Sequence, residues 1–124
     1  MKLKKWLLAF AAFAVMAVVC AVAAGAETYG DFEYSVLDDG TVEITDYNGS
    51  AERVDIPAKI DGKNVTSIGK NAFRECTSLI SVTMPDTVTY LGWYAFDECS
   101  ALENIKLSDN LTYIGYSAFY KCTL

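Results

Sequence analysis

The phrase IGKNAF occupies residues 68–73, LGWYAF follows at 91–96 and IGYSAF at 114–119. Each copy begins 23 residues after the one before. Fixed spacing of this kind excludes most globular architectures. It describes a chain wound in equivalent coils, each too small to bury its own apolar face and each completed by its neighbour.

The repeat is wider than the six-residue phrase. The clearest copy holds Leu79, Val82, Met84, Val88, Leu91, Gly92, Ala95, Phe96 and Cys99. The next holds Leu102, Ile105, Leu107, Leu111, Ile114, Gly115, Ala118, Phe119 and Cys122. The first, with Val54, Ile56, Val65, Ile68, Gly69, Ala72, Phe73 and Cys76, carries five extra residues between Pro57 and Gly69. Asp61-Gly62 is a turn signal, so these extra residues are expected to bulge as a loop. A period of 20–29 residues marks a leucine-rich repeat solenoid. The fold expected over residues 51–124 is therefore a β-rich repeat solenoid with short helical or irregular segments, its last copy incomplete.

Each part of the copy has a physical role. Leu79, Val82 and Met84 suit a short strand with alternate residues facing a core. Pro85 cannot donate to a ladder and ends that strand. Ser108 replaces this proline in the third copy, which is expected to loosen one strand end. Gly69, Gly92 and Gly115 permit a sharp bend or close packing between coils. Phe73, Phe96 and Phe119 then form a continuous buried column, in which each ring contributes about 1.5–3 kcal/mol.

Residues 1–26 stand apart. Lys2, Lys4 and Lys5 precede an apolar run from Trp6, and Ala24-Gly25-Ala26 has the small-residue pattern of a cleavage site. This is the pattern of a secretory signal peptide cut between Ala26 and Glu27. An uncleaved anchor is the alternative, since the run is long enough to span a bilayer. Val19 before Cys20 argues against lipid attachment there. Residues 27–50 are expected to form a β-hairpin cap. A three-residue loop with left-handed Gly40 places Val36 opposite Val42 and Tyr34 opposite Ile44, which keeps the apolar residues on one face.

Without the three leader lysines, 7 basic residues face 16 acidic ones, a formal charge of −9. That charge disfavours nucleic acid and anionic lipid as partners. The chain has no histidine, hence no imidazole base, metal ligand or pH switch. No catalytic residue, cofactor or metal is expected. Asp38, Asp39, Glu43, Asp46, Asp97 and Glu98 are numerous enough to suggest paired-carboxylate chemistry, but a solvated acidic surface is the preferred reading. Cys76, Cys99 and Cys122 recur at one register. Disulfides and metal are alternatives, but parallel side chains and the lack of CxxC or histidine partners favour a ladder of buried free thiols. Three N-glycosylation sequons begin at Asn48, Asn64 and Asn110.

What remains is surface. The outward strand positions are Arg53 and Asp55, Ser81 and Thr83, and Asn104 and Lys106. Tyr90 and Tyr113 share a register, and Trp93 lies close by in sequence. These nine residues are the candidate partner-binding surface, because solenoids use extended faces for contact and aromatics make good anchors.

The stretch VTSIGxxAFxxCTSL at 65–79, with Ile56-Pro57 and Met84-Pro85, resembles the BspA-like, or treponemal-type, leucine-rich repeat family. The resemblance covers Val54–Leu124 and implies a secreted or cell-surface bacterial protein. Several members of the family are adhesins that bind host or matrix proteins. A non-catalytic targeting or spacer region of a larger surface protein or secreted enzyme is the alternative. Because the final copy stops partway, further domains are expected beyond Leu124.

Overall fold

A computed structural model of the chain describes residues 26–124. The expected signal segment, apart from Ala26, lies outside them. The described residues form a β-solenoid of about three turns at the 23-residue spacing, with no helix among them. The segments expected to be helical or irregular are turns.

Two parallel stacks of short strands enclose the core. In the smaller sheet β4 (Arg53–Asp55), β7 (Ser81–Thr83) and β9 (Asn104–Lys106) lie side by side. Val54, Val82 and Ile105 share one register row there, and Val54 and Val82 are buried. In the larger sheet β6 (Lys63–Ile68), β8 (Tyr90–Leu91) and β10 (Tyr113–Ile114) run parallel. Ile68 and Leu91 face inward from them. Leu79, Leu102, Met84 and Val88 fill the space between the sheets.

The N-terminal unit has three strands rather than the two of a hairpin. β1 (Glu27–Tyr29), β2 (Phe32–Val36) and β3 (Val42–Tyr47) form an antiparallel meander, and β3 continues the large sheet by pairing parallel with β6. The expected register is present: Val36 faces Val42, Tyr34 faces Ile44, and Gly40 has φ +83°. The added strand comes from Gly30-Asp31, a two-residue turn with Gly30 at φ +58° that folds Glu27–Tyr29 back onto β2.

The five-residue insertion is more ordered than a loop. β5 (Lys59–Ile60) pairs antiparallel with the start of β6, and Asp61 and Gly62 take φ +50° and +73° between them. Positive φ at both central residues is the signature of a type I′ hairpin turn, whose twist matches its strands. Ile60 is thereby buried in the core.

At the corner after each large-sheet strand the coils join backbone to backbone. The amides of Asn71, Phe73 and Glu75 donate to the carbonyls of Trp93, Ala95 and Asp97; those of Tyr94, Phe96 and Glu98 donate to Tyr116, Ala118 and Tyr120. The corner turns through the left-handed region at two fixed positions. Asn71, Tyr94 and Ser117 occupy the first, and Glu75, Glu98 and Lys121 the second, with φ from +54° to +62°. At Ser108 the buried hydroxyl donates to Val88 O at 2.6 Å and accepts from Asn110 N at 3.1 Å, and β9 ends at Lys106 in register with Thr83 of β7.

Candidate functional site

The nine candidate surface residues separate onto two faces. Arg53, Ser81 and Asn104 form one row across the small sheet, and Asp55, Thr83 and Lys106 form the next. All six point away from the core, and only Ser81 is partly covered. This face is polar and mixed in charge. It follows from alternation: Val54, Val82 and Ile105 turn inward, so their neighbours turn out.

Tyr90 and Tyr113 lie instead on the large sheet, in the register row that begins Glu43–Ser67. Their rings stack at 4.8 Å with 5° between planes. Trp93, on the adjoining corner, donates its indole N–H to the Tyr113 hydroxyl at 2.7 Å. Two further rings complete the ridge, Tyr116 at the register of Trp93 and Tyr94 packed edge-on against it at 5.9 Å. Tyr116 follows Trp93 by 23 residues, so their shared register is legible in the sequence.

The thiols occupy one column. Cys99 is buried, Cys76 and Cys122 are half-buried, and all three are free. Cys99 and Cys122 direct their S–H groups at the carbonyls of Phe73 and Phe96, at 2.9 and 3.1 Å. The neighbouring Cys99 thiol lowers the Cys76 pKa, against the opposing effect of burial. The Cys76 thiol and burial together raise Cys99 well above the usual thiol range, and burial raises Cys122. Among the described residues no three Cys, Asp or Glu side chains converge as a metal site.

The expected solvated surface at Asp97-Glu98 is half correct. Glu98 is partly exposed and pairs with Lys121 at 3.2 Å. Asp97 is 4% exposed and takes Arg74 Nε at 3.1 Å, 23 residues back on the neighbouring coil. Asp97 faces inward because the corner turn aims it at the coil behind. Arg74 also reaches Glu75 Oε1 at 3.5 Å, so one guanidinium holds two carboxylates, one of them on the neighbouring coil. Asp38 and Asp39 sit on the exposed hairpin loop. Asp39 accepts the Thr41 hydroxyl and amide, bonds that lower its pKa.

The repeat and the two-sheet stack meet the profile of the BspA type leucine rich repeat region (6 copies) over residues 47–124. The chain belongs to this family. Three solved structures show the same fold. A T. pallidum leucine-rich repeat protein matches with TM-score 0.74 at 36% identity, over 78% of this chain and 46% of that one. A leucine-rich cell surface protein of Faecalibacterium prausnitzii A2-165 matches with 0.72 at 33%, over 80% and 29%. A leucine-rich repeat protein of Bacteroides capillosus ATCC 29799 matches with 0.70 at 35%, over 76% and 73%. The chain thus spans less than half of the T. pallidum protein and under a third of the F. prausnitzii one. No curated protein matches it. As a BspA-type repeat protein, the chain presents stacked surface, and both candidate faces run along the solenoid axis.

Proposed function

We propose that this chain is a secreted or cell-surface binding module that attaches adhesin-like to a protein partner, host or matrix proteins included. The observation that carries the reading is the row of outward side chains on the small sheet, carried by three paired strands. Leucine-rich repeats use such extended faces for protein contact, and the similar F. prausnitzii protein is a leucine-rich cell surface protein. Export follows from the signal pattern at residues 1–26, and the exported chain should begin at Glu27 on N-terminal sequencing.

The polar face is the first place to test. Residues 27–124, presented to a panel of immobilised extracellular-matrix proteins, are expected to bind at least one. Lys106→Glu together with Arg53→Glu should weaken that binding without changing the melting temperature. Binding unchanged by both substitutions would move the contact elsewhere. The second reading, a spacer within a larger surface protein, draws on the greater length of the solved relatives and predicts no binding across the panel.

A further inference from the structure

The thiol column is not uniform along its length. Cys99 and Cys122 each direct S–H at the carbonyl 26 residues back, on Phe73 and Phe96. The equivalent position for Cys76 is Ser50, in the turn that joins the meander to the first coil. Among the described residues Cys76 makes no such bond. It lines a cavity of about 210 Å³ instead, together with Asn48, Ser50, Ala51, Arg74 and Ser78. Cys99 lies behind it on the next coil, buried.

The backbone holds these two cysteines within bonding range. Glu75 N donates to Asp97 O at 2.8 Å, which sets Cys76 and Cys99 at one level on adjacent coils. Phe73 O accepts from both Cys76 N at 3.3 Å and Cys99 Sγ at 2.9 Å. Paired backbones stand about 4.8 Å apart, inside the Cα separation of roughly 4.4–6.8 Å that a disulfide spans. Equivalent side chains start parallel, so closing a bridge requires Cys99 to leave Phe73 O and turn towards Cys76. Cys76 has no carbonyl to leave.

We propose that Cys76 and Cys99 form a redox-active dithiol that reacts with low-molecular-weight disulfides at this cavity. The Cys76 thiolate attacks one sulfur of R–S–S–R, that bond breaks, and RS⁻ departs and takes up the proton Cys76 has lost. Cys99 then attacks the Cys76 sulfur of the mixed disulfide, expels the second RS⁻ and passes its proton to it. Two protein thiols are oxidised, and one small disulfide is reduced to two RSH. Environment sets the order. Cys76 borders the cavity and the Cys99 thiol lowers its pKa, whereas Cys99 is buried and is held protonated chiefly by the Cys76 thiol. Capping Cys76 removes that chief cause and frees Cys99 for the second step. A bridge closed from a parallel start is strained, and strained disulfides are the readily reduced ones. The pair therefore cycles between states. Oxidising surroundings are extracellular, so a biological role rests on the export proposed above, while the reaction itself does not.

The test treats the reduced, folded protein with excess oxidised 2-mercaptoethanol. Intact mass and a non-reducing peptide map follow the products and separate these thiols from Cys20 and Cys122. The protein should lose the mass of two hydrogen atoms and yield a Cys76–Cys99 linked peptide that dithiothreitol releases. Cys99→Ser, which keeps a donor for Phe73 O, should stop the reaction at a mixed disulfide on Cys76. Cys76→Ser should slow consumption of the Cys99 thiol at least about tenfold. A Cys76 thiol that reacts only after urea unfolding would overturn the proposal. So would a Cys99–Cys122 bridge, or a mixed disulfide on Cys76 that persists in the unaltered protein. Should Cys99→Ser fail to fold, the time course of the unaltered protein decides: a mixed disulfide preceding the bridge supports the dithiol, and a bridge without one overturns it. Matrix binding enters none of these readouts.

Discussion

Tyr47 stacks on Phe73 with ring centroids 5.1 Å apart and 24° between planes. Phe73 in turn stacks on Phe96 at 4.8 Å, and Phe96 on Phe119 at 5.6 Å. The meander thus supplies the ring that a preceding coil would have supplied. Its backbone does the same, since Tyr47 N donates to Ala72 O as Phe73 N donates to Ala95 O. This makes the column four rings long, with Phe32 packed against Tyr47 at 5.2 Å and Phe73 at 6.3 Å at its N-terminal end. Tyr47→Ala should cost about 3–5 kcal/mol, close to Phe96→Ala, and Tyr47→Phe very little. Phe119→Ala should cost less than either, because Phe119 is only partly buried. Urea unfolding of the variants checks the order.

Glycine is required at position 92 by contact rather than by dihedral angle. A Cβ on Gly92 would stand 2.6 Å from Lys70 N and 2.7 Å from the Gly69 carbonyl carbon. Both are backbone atoms of the coil behind and cannot rotate away. Gly92→Ala should therefore destabilise by at least the roughly 1–3 kcal/mol of ordinary overpacking. Gly40→Ala has open space but a φ of +83°, and should cost about 1–2 kcal/mol from conformation alone. A thermal melt of each variant separates the two cases.

Tyr34 links stability to alkaline pH. Its hydroxyl donates to Glu27 Oε2 at 2.6 Å. That bond and burial push its pKa up to about 12 from 10.0. The folded state then holds a proton that the unfolded state releases above pH 10. The stability this contributes is complete below pH 10 and is lost as pH rises towards about 12. Tyr34→Phe should flatten stability over that window, and ultraviolet titration of that variant should lose a phenol that ionises near about 12.

Arg74 and Asp97 tie the first two coils. Arg74→Met would leave the Asp97 carboxylate buried with neither oxygen partnered, since Oδ1 already lacks a hydrogen bond. A loss of about 1–3 kcal/mol is expected. Adding Asp97→Asn should recover part of it by removing the charge, and a double-mutant cycle in urea measures the coupling.

The 23-residue spacing, the ring register, the glycine register and the cap hairpin could be read from the sequence alone, because each is a local pattern repeated at fixed distance. Tyr47 could not. It lies 26 residues before Phe73, outside the period, and joins the column only because β3 pairs with β6. Asp97 reads as surface in a list of charges, and only the corner turn shows it to be buried against Arg74. The candidate surface shows the same division. Alternation identified which residues point outward, but which sheet each strand joins is set by hydrogen bonds between residues a full coil apart. Packing between coils therefore decided that six candidates form a polar face and that Tyr90, Trp93 and Tyr113 form a separate aromatic ridge.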